Sequence, residues 1–457
     1  MRFTAVVIIS FLATAHAHAQ APAPRSLTLN EAVQLALENN FAVRKAENTL
    51  ALQEDVVMQS YGQFMPSLNA SFGGNRRTGR QFVQERLQFD DFTTQTLNGG
   101  VNTSIPLFTG LQNINNLRAA QQRKASAEEV LQRTRENIIF QAASQFLAVL
   151  LNQELVVISR QNLQNAQRQL EQIQAQVQVG MRPIVDQYNQ EALVANSEFE
   201  LVQRENAVNL SLVQLTRVLQ IDPLADYVLQ APNLSEADVS VKGFDLSELV
   251  AQALSKRSDV KAQEAQIRAS RYALNAAKGG VLPTVSLSGS LSSGYSDQYR
   301  ERDLTNPGQF IKLGFGDQFF DRNPTRAVGF NVQIPIFNRL GTRTNIQRAQ
   351  VEYKNAMLDM EDRRLGVLQE IRQAYNDYLA YAKQLRTTQV ALIAATRAYE
   401  TEQERYRVGA STLIELTRAN TEFVNASSNR VRAIYQFVFQ EKLLDYYIGN
   451  IDTNVTF

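Results

Sequence analysis

Four short segments of this chain alternate apolar and polar residues with a period of two, and several longer ones repeat apolar residues every three or four positions. Leu68, Ala70 and Phe72 interleave with Ser67, Asn69 and Ser71, and Val285 and Leu287 with Thr284, Ser286 and Ser288. Val101, Thr103, Ile105 and Leu107 share one face against Asn102 and Ser104, and Val328, Phe330, Val332, Ile334 and Ile336 do so against Asn331 and Gln333. Such alternation predicts strands with one apolar and one polar face, in two pairs at about 67–107 and 284–337. It suits the staves of a membrane barrel and equally a soluble sandwich with one wet face.

The second pattern is helical. Leu163, Ala166, Leu170, Ile173 and Val177 step by three and four, as do Tyr188, Ala192, Ala195, Phe199 and Val202, and Leu392, Ala395 and Tyr399. These are coiled-coil seams. An unbroken helix from about Leu111 to Val179 would run on the order of 100 Å, far beyond what a globular domain needs. The other faces are rich in Gln, Asn, Ala, Ser and Arg, as in a wall with water on both sides or the outside of a plain dimeric coiled coil.

Both patterns occur twice. LNEAVQLALENNFAVRKAE from Leu29 aligns without a gap on LSELVAQALSKRSDVKAQE from Leu246, and Pro66 aligns on Pro283 at the same offset. SIPLF ending at Phe108 aligns on QIPIF ending at Phe337, and Val179-Gly180 on Val408-Gly409. The predicted organisation is a first repeat over 20–219, a connector over 220–243 and a second repeat over 244–457, each in the order helix, two strands, long helix, Val-Gly, long helix. Gly180 and Gly409 stand where the seams stop, and glycine reverses a chain there because it tolerates positive φ. Pro183 suits the first turn of the following helix, and Thr412 with Glu415 has capping-box spacing. The segments 179–183 and 408–412 are therefore predicted as tips of long helical hairpins.

The first 19 residues read as a secretory signal peptide, with Arg2, an apolar run from Phe3 and an Ala17-His18-Ala19 cleavage site. Its removal takes His16 and His18, the chain's two histidines, and there is no cysteine. Triads built on His or Cys are then excluded, zinc, haem and iron–sulfur sites lose their usual ligands, and no cofactor or metal is expected. The whole chain has 46 basic and 45 acidic residues, so nothing in its charge draws it to nucleic acid. After the signal, no run reaches the roughly 18 apolar residues of a membrane helix, so any crossing must use strands. Four strands cannot close a barrel, for which about eight are the minimum, so several chains would have to share one.

With the duplication, the four strands and the paired tips assembled, the chain resembles the TolC family of outer-membrane efflux and secretion ducts. YRVGASTLIELTRA at 406–419, VGMRPIVDQYNQEAL at 179–193 and the strand ends IPLF and IPIF carry the resemblance. It implies a mixed α and β membrane protein with four coiled-coil helices and four transmembrane strands per chain. Three copies would form a 12-stranded barrel in outer-membrane lipid and an α-helical tunnel across the periplasm. A periplasmic adaptor and an inner-membrane pump would be partners, and small molecules or polypeptides would pass without chemical change.

The same resemblance implies a gate at the tips. The family's tyrosine falls on Tyr406 and its aspartate partner on Asp186. Its arginine falls on Ser411, leaving Arg407 or Arg182 to serve instead. Of two acids that narrow the pore, one falls on Glu415 and the other on Arg418, so a strong cation preference is not expected. Val179, Gly180, Met181, Val408, Gly409 and Ala410 form the expected adaptor-docking tips. Each residue also has a plainer explanation: Glu415 as a capping acid, Asp186 as a first-turn acid, Tyr406 as a seam residue and the glycines as turns. Two other classes fit less well. A carboxylate hydrolase would need a cluster of acids on strand ends, which is missing; the other alternative is a coiled-coil periplasmic adaptor, adhesin or structural envelope protein, and an adaptor would carry one helical hairpin between compact β domains. The segments 75–98 and 293–326, rich in Arg, Asp, Asn and Gly, are predicted as surface loops.

Overall fold

The computed structural model describes residues 25–84, 87–230, 241–303 and 306–451. The signal peptide and the middle of the connector lie outside them. A short strand β1 (Arg25–Leu27) leads into α1 (Leu29–Asn39) and α2 (Phe41–Gly62), followed by β2 (Ser67–Val83) and β3 (Gln88–Phe108). The hairpin α3 (Gln112–Gln178) and α4 (Ile184–Leu219) completes the first repeat. After β4 (Tyr227–Leu229), which pairs parallel with β1, come α5 (Leu246–Lys256), α6 (Ser258–Gly279) and β5 (Thr284–Ser296). A small hairpin of β6 (Arg300–Arg302) and β7 (Phe310–Lys312) and a π-helical turn at Asp317–Arg322 precede β8 (Thr325–Gln333). The second hairpin is α7 (Gly341–Arg407) and α8 (Leu413–Tyr447).

Strands β2, β3, β5 and β8 form one antiparallel sheet in that order, so β2 and β8 are its open edges. Its register sorts the two faces. Leu68, Thr103, Gly289 and Val328 lie in one row and Ala70, Val101 and Leu291 in the next, whereas Asn69, Asn102, Ser290 and Ala327 share a row on the opposite face. The apolar face is bare, with Phe72 81% and Val328 83% exposed. The polar side is hollow and lined by Ser67, Asn69, Asn102, Ser288 and Ser290. Gly99 has a steric role here, since a Cβ would come within 2.5 Å of the Phe72 ring and 2.8 Å of Phe319.

Two predicted boundaries move. The first hairpin is much longer than its alternating stretch, and 75–98 is mostly strand rather than loop. The outer half keeps its ladder through cross-strand pairs, Arg80 with Asp91 at 2.9 Å and Phe82 with Phe89 at 5.1 Å between centroids, after the hydropathy signal has gone. Conversely, β8 stops at Gln333, and Ile334, Ile336 and Phe337 stand 62%, 94% and 78% exposed. Their counterparts Ile105 and Phe108 are held by β5, and β8 has no such neighbour among the described residues.

The leading helix of each repeat is broken, which its unbroken periodicity did not reveal. Asn40 ends α1 and caps α2 by accepting from the Ala42 amide at 2.8 Å. Arg257 stands at the equivalent break between α5 and α6 with no side-chain cap. The short helices pack on the waists of the long ones. Ala32, Val33 and Ala36 of α1 meet Ile139, Ala142, Phe146 and Leu150 of α3, and Leu249 and Ala253 of α5 meet Val367 and Ile371 of α7. At about 1.5–3 kcal/mol per buried large side chain, this belt anchors helices too long to be held by their tips. By length and composition α3 could also cross a membrane, but half of its apolar window is buried in this belt.

The α4 stripe behaves differently from expectation. Tyr188, Phe199 and Val202 are 60%, 62% and 57% exposed, while Gln190 and Ser197 face α3, Gln190 donating to the Ala166 carbonyl at 2.9 Å. Within one chain the α3–α4 seam is thus partly amide-bonded, and an apolar stripe is left uncovered.

Candidate functional site

Both hairpin tips are built alike. In the first, the Gly180 amide donates to the Val177 carbonyl at 3.0 Å and the Met181 amide to the Gln176 carbonyl at 2.8 Å. In the second, Gly409 donates to Tyr406 at 3.1 Å and Ala410 to Arg405 at 2.8 Å. This is the helix-ending motif that needs a left-handed residue, and Gly180 and Gly409 have φ of 72° and 77°. Open space surrounds both glycines, and Val179, Met181 and Val408 project 69%, 76% and 71% exposed. Pro183 is the residue before the first turn of α4 rather than within it, its ψ of 146° being extended.

Below the tips, Ile173 of the first hairpin packs with Tyr406, Leu413 and Leu416 of the second, flanked by Val177 and Tyr399. Tyr406 is 7% exposed. Its hydroxyl makes no well-formed hydrogen bond among the described residues, and Asp186 does not reach it. Arg182 stands between the two. Its guanidinium lies 4.2 Å from the Tyr406 ring centroid, Nη1 is 3.3 Å from the Asp186 carboxylate, and Nε donates to Gln176 at 2.6 Å. Burial raises the Tyr406 phenol above its ordinary pKa, with Asp186 adding to the rise and Arg182 and Gln169 opposing it, so the ring meets Arg182 as a neutral phenol.

The second tip is held by carboxylates. Thr412 and Glu415 form a reciprocal capping box, the Thr412 amide donating to Glu415 at 2.9 Å and the Glu415 amide to the Thr412 hydroxyl at 3.3 Å. The Ser411 hydroxyl lies against both Glu402 and Glu415, the latter at 3.0 Å. The Thr412 amide, followed by the Ser411 and Thr412 hydroxyls, holds the Glu415 carboxyl below its usual range. Arg405 pairs with Glu402 at 2.9 Å and Arg407 with Glu404 at 2.8 Å. Arg407 is thus engaged along its own helix, and at this level Arg182 joins the first hairpin to the second. Arg418 is exposed and lines, with Asp186, Arg182, Ser411 and Thr417, a groove between α4 and α8.

A polar cavity above this level is lined by Asn165, Gln169, Gln172, Gln190, Gln403 and Asn420. Asn420 reaches across to Asn162 at 2.9 Å. Their abundance was visible in the sequence; that they occupy an interface rather than a wetted outside was not.

Sequence reasoning also missed a buried ion network at the waist. Arg257, fully buried, holds Asp259 with two nitrogens at 2.8 and 3.1 Å, Glu370 of α7 at 2.7 Å and the Tyr447 carbonyl of α8 at 3.3 Å. Arg133 of α3 pairs with Glu136 at 3.0 Å, which accepts from Ser258 at 2.9 Å. Arg363 joins Asp259 as well. Burial alone would raise the Asp259 carboxyl, but Arg257, Arg133 and Arg363 together lower it to about 2.

Comparison with known proteins places these features in a wider set. Residues 32–219 and 249–450 match the family described as outer membrane efflux protein. Outer membrane protein TolC of Vibrio cholerae is 22% identical over 397 residues, covering 87% of this chain and 85% of that protein. The pyoverdine export outer membrane protein OpmQ of Pseudomonas aeruginosa is 24% identical over 401 residues, 84% and 77% of the two chains. Among solved structures, the Campylobacter jejuni CmeC outer membrane channel superposes with a TM-score of 0.78 at 18% identity, over 94% of this chain and 87% of that one.

Proposed function

Since the chain belongs to the outer membrane efflux protein family and is an outer-membrane channel rather than an enzyme, we propose that three copies close one barrel through their open sheet edges. The observation that carries the proposal is the sheet itself: four strands with one bare apolar face, a hollow polar face and two unpaired edges. Unpaired edges are excluded from hydrocarbon, and twelve strands close a barrel with a water-filled bore. Each subunit then adds its two hairpins to a periplasmic tunnel, and the uncovered stripe of Tyr188, Phe199 and Val202 on α4 meets the neighbouring copy. Gly62 supports this, a Cβ there meeting nothing within 4 Å among the described residues, whereas its repeat counterpart Gly279 is packed against Gly110.

The tunnel serves a tripartite efflux or type I secretion system, receiving small molecules or polypeptides from an inner-membrane pump through a periplasmic adaptor. At its periplasmic end Arg182, Asp186 and Tyr406 hold the hairpins together, and Glu415 and Arg418 set the charge seen by cargo. Val179, Gly180, Met181, Val408, Gly409 and Ala410 offer the adaptor two open, small-residue tips. A photoreactive side chain at Met181 or Ala410 is expected to crosslink the adaptor in intact cells. One at Ala192, on the side of α4, should give links to this chain only; adaptor links from Ala192 and none from the tips would remove the docking assignment.

The barrel is tested by disulfides, since the chain has no native cysteine. Val101 pairs with Leu291 within the chain. In the repeat Val101 corresponds to Phe330 and Leu291 to Gly74, so the seam between copies should pair Phe330 with Gly74 of the next. Opposed Cα atoms in an antiparallel pair lie about 4.5–5.5 Å apart, within disulfide reach. Phe330→Cys combined with Gly74→Cys is expected to yield a covalent trimer on non-reducing gels, and each substitution alone only monomer. A ladder ending at dimer, or no linkage in folded protein, would defeat the three-copy barrel.

A further inference from the structure

The internal repeat fixes more than the existence of a seam. Ser67 pairs with Ser104 in the first hairpin and Thr284 with Gln333 in the second, and these are the same pair under the repeat, so strand register is inherited with it. Gly99 pairs with Ser293 and Leu97 with Tyr295. Carried through the repeat, Val328 faces Arg76 of the next copy and Arg326 faces its Thr78. Arg326 then sits on the apolar, outward side of the sheet, diagonal to both Arg76 and Arg80 of the neighbour. Diagonal neighbours of this kind are about 7–8 Å apart, close enough for three long side chains to converge.

The charges do not balance there. Arg80 is bonded to Asp91 at 2.9 Å. Arg76 and Arg326 are exposed, and neither has an ion pair or hydrogen bond among the described residues. Bringing them together in the assembled barrel calls for an anion, and β3 supplies no free one: its outward residues at this level are Thr93, Gln95 and the Asp91 already bonded to Arg80.

Immediately on the helix side lies a bare apolar wall, Val328, Phe330 and Val332 with Phe72 of the neighbour, and the Phe72 and Phe319 rings stack at 6.1 Å beside it. The strand ends nearest the helices face the periplasm, so this notch lies at the outer boundary of the apolar band. A cationic fork above an apolar wall matches a molecule with an anionic phosphate head and acyl chains. Guanidinium groups suit phosphate because their paired donors bind two oxygens at once.

We propose that each subunit junction binds a phosphorylated glycolipid of the outer leaflet, its phosphate held between Arg326 of one copy and Arg76 and Arg80 of the next, its acyl chains along Val328, Phe330 and Val332. The site is incomplete in a single copy and rests on the three-copy barrel proposed above.

Detergent-solubilised protein mixed with diphosphorylated lipid A, or with the same lipid stripped of phosphate, would be read by native mass spectrometry. The natural protein is expected to retain one diphosphorylated lipid per junction and to hold the stripped form at least about tenfold more weakly. Arg76→Gln with Arg326→Gln should lose that preference. Arg77→Gln, on the inward side over the Phe92 ring, should keep it. Equal retention by the double variant, or equal binding of the stripped lipid, would overturn the site. The Phe330→Cys, Gly74→Cys linkage built into the same variants separates the two ideas. Covalent trimer with unchanged lipid retention rejects the lipid site alone, and failure of the linkage in natural background rejects the barrel seam and the site with it.

Discussion

Channels carrying Arg182→Gln are expected to open at the periplasmic end roughly one to two orders of magnitude more often than the natural protein in planar bilayers. Arg182 stacks on the Tyr406 ring at 4.2 Å and reaches Asp186 at 3.3 Å, both ends being more than half shielded from water. A cation over an aromatic face contributes about 0.5–2 kcal/mol and a charge-assisted hydrogen bond about 1.5–3 kcal/mol. Every 1.4 kcal/mol is about tenfold in an equilibrium, so losing one link per subunit shifts the closed state substantially. Tyr406→Phe provides the contrast. It keeps the ring under Arg182 and removes only a hydroxyl that has no well-formed hydrogen bond, so its conductance should stay near that of the natural protein. If Tyr406→Phe instead opens the channel as far as Arg182→Gln does, the phenol and the Asp186 carboxylate form the latch across subunits. If neither variant changes conductance in a folded, membrane-inserted channel, the closure lies elsewhere.

That contrast also marks what the sequence could and could not reveal. The Val-Gly marks announced the tips because glycine takes the positive φ of this helix ending at least steric cost, and both tips fold so. The family resemblance pointed to Tyr406 and Asp186 but could not say that Arg182 would come between them. That depends on how two hairpins, distant in sequence, are rotated about their axes. The strands were legible where the bilayer would impose alternation and illegible above it, where Arg80–Asp91 and Phe82–Phe89 pairs hold the ladder without a hydropathy signature. Ile334 to Phe337 read as strand from its pattern, yet β8 is an edge strand, with no described strand on its far side to order that end.

The α4 stripe is the same lesson in a helix. Tyr188, Phe199 and Val202 have seam spacing, and spacing cannot say which of two seams an apolar row serves. Within the chain the α3 face is met by Gln190 and Ser197, whose amide and hydroxyl bonds leave no periodic apolar trace. Asn40 is a preferred capping residue, a signal that the unbroken periodicity around it outweighed. Arg257, its repeat counterpart, carried no such signal, because an arginine at a helix break gains its role only when its near neighbour Asp259 is joined by Glu370 of α7 and Tyr447 of α8.

The Arg257 cluster carries the largest stability effect expected in the molecule. Asp259→Asn leaves a fully buried guanidinium with Glu370 as its remaining carboxylate, and breaking a buried pair by removing one partner costs about 3–5 kcal/mol. The pH dependence follows from the Asp259 carboxyl, lowered to about 2 from the ordinary 3.8. A depressed folded-state value means that the charged form is favoured by folding. Its contribution, on the order of 2 kcal/mol, is therefore complete above about pH 4 and drains away as pH falls towards 2. Thermal melting of the helical signal at a fixed heating rate should show the natural protein losing stability steeply through that window. Asp259→Asn should start lower at neutral pH and lose less on acidification, so the two curves converge at low pH. Parallel curves would mean that Asp259 does not titrate in this window and that the waist is held by the apolar belt alone. Arg257→Lys discriminates further: a single ammonium cannot hold the bidentate contact to Asp259 while reaching Glu370 and the Tyr447 carbonyl, so retaining the charge should not restore the stability. The first repeat needs no such device, since Asn40 closes its break locally while donating to the Val218 carbonyl at 3.1 Å, and Asn40→Ala should cost only about 1 kcal/mol.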